Sequence, residues 1–423
     1  MKKLVEVKEF DVITYNKAYK DSDQYVYLDE QSFSYLENLI FTFNESEEAD
    51  GVDFFTVTTK RHIGKVIRAK NYVGIIQLKN GVLIQILPKI HGSTSIDTKK
   101  TFLKMLKSLK NFPTKIFNEA NLNTERMNLF EIFIRFYIQE IQMLLKKGMK
   151  SAYYEVENNL GVYKGKMLFS QQIKHNTVHK ERFYVRYDEF GLNRAENRLI
   201  KSTLMKLLKQ SISADNVKEI RKLLVNFELV EPSKNYDKDF ASVKIDRNTK
   251  DYESIITWSK VFLYNRSFTT FEGNSFGKAL LFQMDKVFEA YVSHNLKKYI
   301  ASEWEVSLQD KGYYLFEKRF ALRPDIVLRH QNESRIIIID TKWKVLTNTP
   351  NNNYGTSQGD MYQMYAYAKK YETNEIWLIY PMNDEMENGQ DIQFNSDDGV
   401  QVKVFLLDCH QIESSLLHLI SQF

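Results

Sequence analysis

The sequence predicts a multidomain protein of the α+β or α/β class. Residues 1–95 show strand-like alternation and a hairpin turn signal, whereas residues 96–270 are dominated by helical spacing of apolar side chains. Residues 275–423 place β-branched runs between amphipathic helices. We therefore expect a β-rich N-terminal domain, a mixed but mainly helical middle region and a C-terminal domain with an α/β core. A length of 423 residues suits two or three domains.

The N-terminal domain is predicted from three strand-like segments. Residues 54–59 and 73–78 are rich in β-branched and aromatic side chains, and Asn80-Gly81 is a two-residue turn signal that leads into residues 82–89. Alternating glutamines in the last two segments indicate one solvated sheet face. The other predicted elements of this domain are a short helix at residues 35–43 and an acidic loop at residues 45–50.

The middle region changes to helical spacing. Apolar residues at helical intervals predict helices at residues 102–106 and 129–145, and Gly148 is placed to end the second one. The remaining predicted elements are a strand-like insert at residues 152–156, helices at residues 195–208 and 252–264, and a linker at residues 269–275. The C-terminal domain is expected to begin after this linker.

The C-terminal domain is predicted from five ordered elements. They are an amphipathic helix at residues 284–292, two adjacent strands at residues 325–328 and 336–339, a helix at residues 360–368 and a strand at residues 375–381. Residues 336–339 are four isoleucines in succession, a run typical of a strand that is buried on both faces.

Two carboxylates and one lysine fall at the ends of the two adjacent strands. Asp325 follows Pro324 at the start of the first strand, and Asp340 ends the isoleucine run. Because side chains alternate along a strand, Asp340 and Lys342 are expected on one face and Thr341 on the other. An acidic residue at the end of a buried strand is costly unless it binds a cation or a partner. Two carboxylates and one lysine are the smallest set of groups that could hold Mg²⁺ on a phosphodiester and cleave the bond.

The segments Arg323-Pro324-Asp325 and Asp340-Thr341-Lys342 together resemble the PD-(D/E)xK nuclease signature. Glu289 lies on the preceding helix, where this nuclease core often carries an acidic residue. Gln363 and Tyr367 reproduce the QxxxY element of the RecB-like branch, and they share a helix face. The order helix, strands, helix, strand also matches the superfamily's core. The resemblance implies a restriction-endonuclease-like fold for the C-terminal domain.

A second resemblance covers more of the chain. GVYKGK at residues 161–166, Asp188-Glu189-Phe190 and Asn197-Arg198-Leu199 resemble segments of the McrC family, as do MDKVFEAYV, RPDIVL, DTKWK and YQMYAYA in the C-terminal domain. McrC proteins are the nuclease subunits of McrBC-type modification-dependent restriction systems. The resemblance implies an AAA+ GTPase partner, McrB, which recognises modified DNA and translocates it. This chain would cut double-stranded DNA to leave a 5′ phosphate, dock into the partner ring and stimulate NTP hydrolysis.

The chemistry of phosphodiester cleavage assigns roles to these residues. The reaction needs an in-line water and neutralisation of charge on the phosphate, and Mg²⁺ serves both needs, with Mn²⁺ as an alternative. Lys342 is expected to orient or help deprotonate the water and to stabilise developing charge. Gln363 and Tyr367 are expected to position DNA or the lysine, and Lys344 to contact DNA phosphate or solvent. The candidate metal ligands are Asp325, Asp340, the backbone carbonyl of Thr341 and Glu289, the last directly or through water.

Each of these residues also has an ordinary structural interpretation. Asp340 and Lys342 would suit a structural ion pair at a strand end, and Glu289 would suit a solvated helix position. Gln363 and Tyr367 would suit ordinary positions on an amphipathic helix. The order of the flanking elements favours the nuclease site over these alternatives.

Charge, cysteine content and the pattern of apolar residues indicate the cellular compartment in which we expect the protein. The net charge of +5 and the isoelectric point of about 8.7 fit a nucleic-acid partner without requiring one. A single cysteine, Cys409, excludes an intrachain disulfide and suits a reducing compartment. The sequence contains neither a signal-peptide pattern nor an apolar run of membrane-spanning length. We expect a soluble cytoplasmic protein without a membrane partner.

Weaker motifs do not establish further sites. Gly273–Lys278 resembles a P-loop, but it has three residues between its glycines instead of four and lacks the following Ser or Thr, so we expect no bound nucleotide. His175 and His179 lack the Cys or acidic neighbours of a zinc site, and Cys409 is expected to pack in the core. Basic and aromatic residues between 163 and 186 would suit nucleic acid, the partner or a solvated surface equally.

Three functions compete. The leading one is a Mg²⁺-dependent DNA endonuclease subunit acting with a McrB-like NTPase. The second is a self-sufficient restriction or repair nuclease of the same superfamily, which finds DNA through residues 1–265. The third is a non-enzymatic NTPase activator and DNA-binding scaffold, and the intact set of Asp325, Asp340 and Lys342 argues against it. Cleavage by the chain alone would separate the first two.

Overall fold

The computed structural model describes residues 3–44, 54–91, 94–110, 112–113, 127–264, 278–386 and 391–423. The predicted acidic loop, the linker and the P-loop-like segment lie outside the described residues, apart from Lys278 at the end of the last. The chain folds as two compact units. Unit 1 comprises Met1–Phe112 together with Ser267–Phe423, and unit 2 comprises Pro113–Arg266.

The first part of unit 1 is rich in strands. Its elements are β1 Leu4–Lys8, β2 Val12–Thr14, β3 Val26–Tyr27, α1 Glu30–Asn44, β4 Phe55–Lys60, β5 Gly64–Ala69, β6 Tyr72–Gln77, β7 Leu83–Leu87 and α2 Ser95–Lys107. One four-stranded sheet has the order β3-β2-β5-β4, and α1 shares a continuous hydrophobic core with it. Gln85 was expected on a solvated face but is fully buried. Its polar side chain is satisfied there, because its amide donates a hydrogen bond of 2.6 Å to Glu6 Oε1 on the neighbouring strand β1.

Unit 2 is mainly helical. Its elements are α3 Leu129–Lys147, β8 Ala152–Leu160, β9 Lys166–Met167, α4 Phe169–Asn176, β10 Phe183–Gly191, α5 Ala195–Gln210, α6 Ala214–Asn226, α7 Tyr236–Ser242 and α8 Glu253–Tyr264. Asn128 caps the start of helix α3, since its side chain accepts a hydrogen bond from the Glu131 amide, and Gly148 follows the last residue of the helix as predicted. The predicted insert is part of a three-stranded sheet with the order β8-β10-β9.

The second part of unit 1 contains a six-stranded mixed sheet. Its elements are β11 Lys278–Gln283, α9 Met284–Tyr299, β12 Trp304–Leu308, β13 Tyr314–Phe316, β14 Arg319–Ala321, β15 Ile326–His330, β16 Ile336–Thr341, α10 Gln358–Tyr371, β17 Glu375–Pro381, β18 Ile392–Asn395, β19 Gln401–Leu407 and α11 Ile412–Ile420. The sheet order is β12-β15-β16-β17-β19-β18. Strand β16 is antiparallel to β15 and parallel to β17, so the isoleucine run occupies the middle of the sheet.

Burial explains why the isoleucine run forms this central strand. Ile337, Ile338 and Ile339 are fully buried, as predicted for a strand covered on both faces. Apolar side chains of α10, including Met364 and Tyr367, share a core cluster with Ile338 and the strands beside it. Each fully buried side chain of this size contributes roughly 1.5–3 kcal/mol. The centre of the sheet is therefore a rigid base for the polar residues at the start of β15 and the end of β16.

The division of the chain differs from the three successive domains expected from the sequence. Strand β11 pairs antiparallel with β6, so the segment just before α9 completes the sheet β1-β7-β6-β11. Gly74 permits this contact, because a Cβ atom there would lie 1.9 Å from the Leu280 carbonyl oxygen. Residues 1–95 and 275–423 consequently belong to one unit, and α2 belongs with them rather than with the middle region.

Helices of the described residues give no membrane-spanning candidate, since none of them combines the length and apolar character that crossing a bilayer requires.

Candidate active site

The register of the β15–β16 hairpin brings the two predicted aspartates together. Ile326 pairs with Ile339, which places Asp325, one residue before β15, beside the end of β16. The Asp325 carboxylate accepts hydrogen bonds at its Oδ2 atom from the Thr341 backbone amide at 2.8 Å and from the Thr341 hydroxyl at 2.7 Å. Thr341 thus contributes both a main-chain and a side-chain donor to this carboxylate. The side-chain contact was not anticipated from strand alternation.

Lys342 connects the sheet edge to helix α10. Its Nζ atom lies 2.7 Å from Asp340 Oδ2 and donates a hydrogen bond to Gln363 Oε1 at 3.0 Å. Gln363 in turn donates to the Tyr367 hydroxyl at 2.7 Å. The residues predicted from the lysine motif and from the QxxxY element therefore form one hydrogen-bonded chain. Tyr367 is almost fully buried, which fixes the far end of this chain.

Glu289 reaches the same cluster from helix α9. Its carboxylate accepts a hydrogen bond of 2.6 Å from the Gln309 side-chain amide, which also donates to Asp325 Oδ1 at 3.1 Å. The backbone amide of Gln309 donates to the Asp325 carbonyl oxygen at 2.9 Å. Gln309 was missed in the sequence because it lies in a loop that matches no motif. Its positive φ of 50° is the local signal, visible only in the structure.

Like Gln309, Asp360 is a residue of this cluster that the sequence motifs did not single out. It lies in the first turn of α10, where Ser357 caps the helix. Its carboxylate is 3.8 Å from Lys342 Nζ and accepts a hydrogen bond from Lys344 Nζ at 2.6 Å. Lys344, expected at a DNA phosphate or in solvent, is therefore paired within the protein. An acidic residue at the N-terminus of the predicted helix was the available sequence signal.

The carboxyl groups of the cluster resist ionisation. Burial and the neighbouring charge of Asp325 raise the pKa of Asp340 to about 7, and the same two causes raise the pKa of Glu289 to about 7. Burial also raises the pKa of Asp325, although two hydrogen bonds from Thr341 oppose the shift. Burial alone would lower the pKa of Lys342, but Asp340 and the other acidic neighbours raise it above the ordinary value. The cluster holds more buried acidic groups than the lysine balances.

The carboxylates of the cluster are oxygen donors of the kind that Mg²⁺ prefers. Among the described residues, no group of three or more His, Cys, Asp and Glu side chains is arranged as a ready metal site. The donor chemistry nevertheless fits: Asp325 and Asp340 are two adjacent, poorly compensated carboxylates, and oxygen donors of this kind are those Mg²⁺ prefers, with water completing its shell. Glu289 is joined to the pair through Gln309, which fits a ligand acting through an intermediary.

The weaker sequence candidates do not form a second site in the described residues. His175 stacks on Tyr184, and His179 lies 3.2 Å from Glu181. Cys409 is buried, as expected for a packing residue, and burial raises the pKa of its thiol. Arg186 pairs with Glu157 on the neighbouring strand at 2.5 Å.

Comparison with known proteins identifies the family. The chain matches the model of the McrBC 5-methylcytosine restriction system component family over residues 67–381, about three quarters of its length. It belongs to this family. The McrC resemblance inferred from the motifs is thereby confirmed. The matched region runs from β5 to the end of β17 and includes every residue of the cluster described above.

Solved structures agree on the fold. The chain resembles one in the refined half-complex from the tetradecameric assembly of Thermococcus gammatolerans McrB AAA+ hexamers with bound McrC, with 18% identity, a TM-score of 0.71 and coverage of 99% of both chains. A cryo-EM structure of the T. gammatolerans McrBC complex matches with 21% identity over 71% of this chain and 88% of that chain, at a TM-score of 0.46. The first likeness shows a shared fold along essentially the whole chain. No curated protein sequence matches the chain significantly.

Proposed function

We propose that this McrBC-family chain is the Mg²⁺-dependent DNA endonuclease subunit of its restriction system. It cleaves phosphodiester bonds when an AAA+ GTPase partner activates it, and it stimulates the partner's GTP hydrolysis. The observation that carries the proposal is the single cluster of Asp325, Asp340 and Lys342 at the edge of the central sheet, flanked by Glu289 and the Gln363–Tyr367 pair. The order of these residues along the chain resembles the PD-(D/E)xK pattern, and their closeness in space supports the proposal.

The residues of the cluster divide the work of hydrolysis. Asp325, Asp340 and the Thr341 carbonyl would hold Mg²⁺, which when bound polarises the phosphate and lowers the pKa of a water. The hydrogen bonds from Thr341 fix the Asp325 carboxylate. Lys342, held between Asp340 and Gln363, is placed to orient the attacking water and to stabilise negative charge on the phosphate. Tyr367 holds Gln363 in position from the buried side of α10.

The proposed partner follows from the family and from the structural likeness. The structurally similar chain belongs to an assembly of McrB AAA+ hexamers with bound McrC. We extend that arrangement to this chain and assign recognition of modified DNA and translocation to the GTPase. The chain then supplies DNA cutting and activation of the partner.

The proposal is tested with the purified full chain, Mg²⁺ and duplex DNA that contains 5-methylcytosine, each with and without the GTPase partner and GTP. Cleavage is expected only when the partner and GTP are both present. In that mixture Asp340→Asn should lower the cleavage rate at least ~100-fold, because the substitution removes a negative oxygen at the metal position. Asp398→Asn is the matched control, since Asp398 is a half-exposed aspartate that pairs with Lys369 away from the cluster.

Two results would contradict the proposal. Cleavage by the chain alone would point to the self-sufficient nuclease instead. Cleavage that survives Asp340→Asn but not chelation of the metal would place the active site elsewhere.

A further inference from the structure

A short hairpin beside the cluster has an unusual surface. We name the segment Asp310–Arg323, which contains β13 and β14, the aromatic hairpin. It begins directly after Gln309, which bonds both Glu289 and Asp325. It ends at Arg323, whose backbone lies near the Tyr367 hydroxyl and opposes the rise that burial causes in the pKa of that group. Both ends of the hairpin are therefore fixed to residues of the candidate active site.

The base of the hairpin is anchored and its tip is exposed. Leu322 is buried in the core beneath α10, and the Tyr313 ring packs against Tyr371 at a centroid distance of 4.3 Å. Phe316 and Phe320, in contrast, are 68% and 69% exposed. Their rings contact each other edge to face, with centroids 6.0 Å apart. Exposing two phenylalanine rings to water to this extent is unfavourable in free energy unless a partner covers them.

Two residues of the hairpin have backbone conformations that are unfavourable for residues with side chains. Lys318 and Phe320 have φ angles of 55° and 56°, a left-handed conformation that side chains other than glycine rarely adopt. The turn between Phe316 and Arg319 has two residues, and glycine in place of Lys318 would avoid the strain there. The Phe320 ring lies beside that of Phe316 and is exposed to solvent.

The charges around the two rings select the kind of partner. The hairpin contains four basic and two acidic residues. The basic residues Lys311, Lys318, Arg319 and Arg323 are all exposed. Within the described part of the chain none of these four forms an ion pair. One of the acidic residues, Asp310, is already paired with Arg329 at 3.0 Å.

We propose that the aromatic hairpin binds duplex DNA next to the phosphate that is cut. The rings of Phe316 and Phe320 wedge into the stack of bases, while Lys318 and Arg319 contact the flanking phosphates. Aromatic wedges of this kind unstack a base step, and nearby cations hold the backbone on either side. The inference rests on the proposed function, since it assigns the DNA contact of the same site. Charge and continuity with the cluster favour DNA over a protein surface.

The test measures binding of the full chain to a short fluorescent DNA duplex by anisotropy, with Ca²⁺ in place of Mg²⁺ and over a range of salt concentrations. The double variant Phe316→Ala/Phe320→Ala should bind ~10-fold more weakly with an unchanged salt slope, because only stacking is lost. Phe316→Tyr/Phe320→Tyr should bind as the wild type does. Lys318→Ala/Arg319→Ala should reduce the slope of log K against log salt by about 1.8, the value for two phosphate contacts.

Matched controls in the same unit are Tyr362→Ala, which removes an aromatic ring that is 67% exposed on α10, and Lys297→Ala, which removes an exposed charge on α9. Both should bind DNA as the wild type does. Circular dichroism and urea unfolding establish that each variant is folded.

Several results would overturn the hairpin assignment. Wild-type affinity in the Phe316→Ala/Phe320→Ala variant would do so, as would failure of the wild-type chain to bind duplex DNA at low salt. Normal DNA binding combined with loss of assembly with the GTPase partner would make the hairpin a protein interface instead. Cleavage in the presence of the partner remains a separate measurement, so that the proposed function can stand when the hairpin assignment fails.

Discussion

At the scale of single residues, the catalytic role proposed for Lys342 rests on its contacts. It joins β16 to α10 through Asp340 and Gln363, at 2.7 and 3.0 Å. Lys344, two residues later, is 42% exposed and pairs with Asp360 at 2.6 Å. Asp360 also lies 3.8 Å from Lys342, but the shortest acidic contact of Lys342 is with Asp340. Of the two lysines, only Lys342 contacts both an aspartate of the motif and Gln363.

Lys342→Ala should therefore reduce the rate of DNA cleavage by about 100- to 1,000-fold, the usual cost of removing one preorganised donor from a transition state. The measurement is single-turnover cleavage with the GTPase partner and GTP. Lys344→Ala is the neighbouring control and should retain most activity, because its amine is engaged by Asp360. Equal losses in the two variants would contradict the separate roles assigned to these lysines.

Glu9 is a second residue whose environment has a measurable consequence. It is fully buried, and both of its carboxyl oxygens accept a hydrogen bond of 3.0 Å from Trp343 Nε1. Burial nevertheless raises its pKa from 4.5 to about 8. Trp343 follows directly after Lys342, so this contact ties the N-terminal part of unit 1 to the segment that carries the candidate site.

Between about pH 4.5 and pH 8 the folded protein binds a proton at Glu9 that the unfolded chain has released. The contribution of Glu9 to the free energy of unfolding therefore falls as pH rises through this window. Glu9→Gln mimics the neutral carboxyl and removes this dependence. The unfolding free energy of the variant relative to the wild type should rise by up to ~3 kcal/mol from about pH 5 to about pH 7.5, measured by urea denaturation. Parallel pH profiles would show that Glu9 ionises normally.

At the scale of elements, strand β11 decides how the two separated parts of unit 1 join. Its pairing with β6 depends on Gly74, where an added Cβ would meet the Leu280 carbonyl at 1.9 Å. Gly81 in the β6–β7 turn also has a positive φ, of 85°, but its surroundings are open. The two glycines therefore separate the effect of crowding from that of backbone strain.

Gly81→Ala should cost about 1 kcal/mol of unfolding free energy, from strain alone. Gly74→Ala should cost roughly 2–4 kcal/mol more, because the added methyl group forces β11 away from β6. Urea denaturation of both variants measures the difference. An equal and small cost in both would mean that β11 leaves the sheet easily, and the joining of the two parts of unit 1 would need another explanation.

Local patterns predicted the elements better than their partners. The four isoleucines of β16, the Asn80-Gly81 turn and the Gly148 stop each encode their structure over a few residues, and the structure has strands or helix ends at these places. The β11–β6 pairing joins residues about 200 positions apart, so no short window contains it. Strand β11 itself was not predicted, because it directly follows the segment interpreted as a linker.

The candidate site divides in the same way. Asp325, Asp340 and Lys342 were found because motif spacing and strand alternation place them together. Gln309 and the Thr341 hydroxyl were missed, because their contacts with Asp325 depend on a loop conformation and on rotamers that no pattern records. Sequence reasoning therefore located the charged groups of the motif but missed Asp360 beside Lys342 and the neutral donors that orient Asp325.

At the scale of the whole molecule, the chain forms part of unit 1, then all of unit 2, and then completes unit 1. The cluster of acidic residues and Lys342 lies entirely in unit 1, on β15, β16, α9 and α10 and the segments beside them. Unit 2 is a compact body in which Trp258 and Tyr137 are fully buried, and none of its described residues belongs to that cluster. The proposed function assigns cutting to the cluster in unit 1 and partner activation to residues outside it.

This separation predicts that a catalytically silenced chain still activates its partner. Asp340→Asn preserves the size of the side chain while removing a charge from a group that is only 2% exposed. DNA cleavage should be lost, whereas stimulation of the partner's GTP hydrolysis should match that of the wild type, because the proposal assigns activation to residues outside the cluster and separate sites behave independently. Both rates are measured on the same reconstituted mixture by DNA cleavage and phosphate release. If both activities fell together in a variant with wild-type circular dichroism and unfolding midpoint, the acidic cluster would be part of the activating machinery, and the assignment of cutting and activation to separate residues would be wrong.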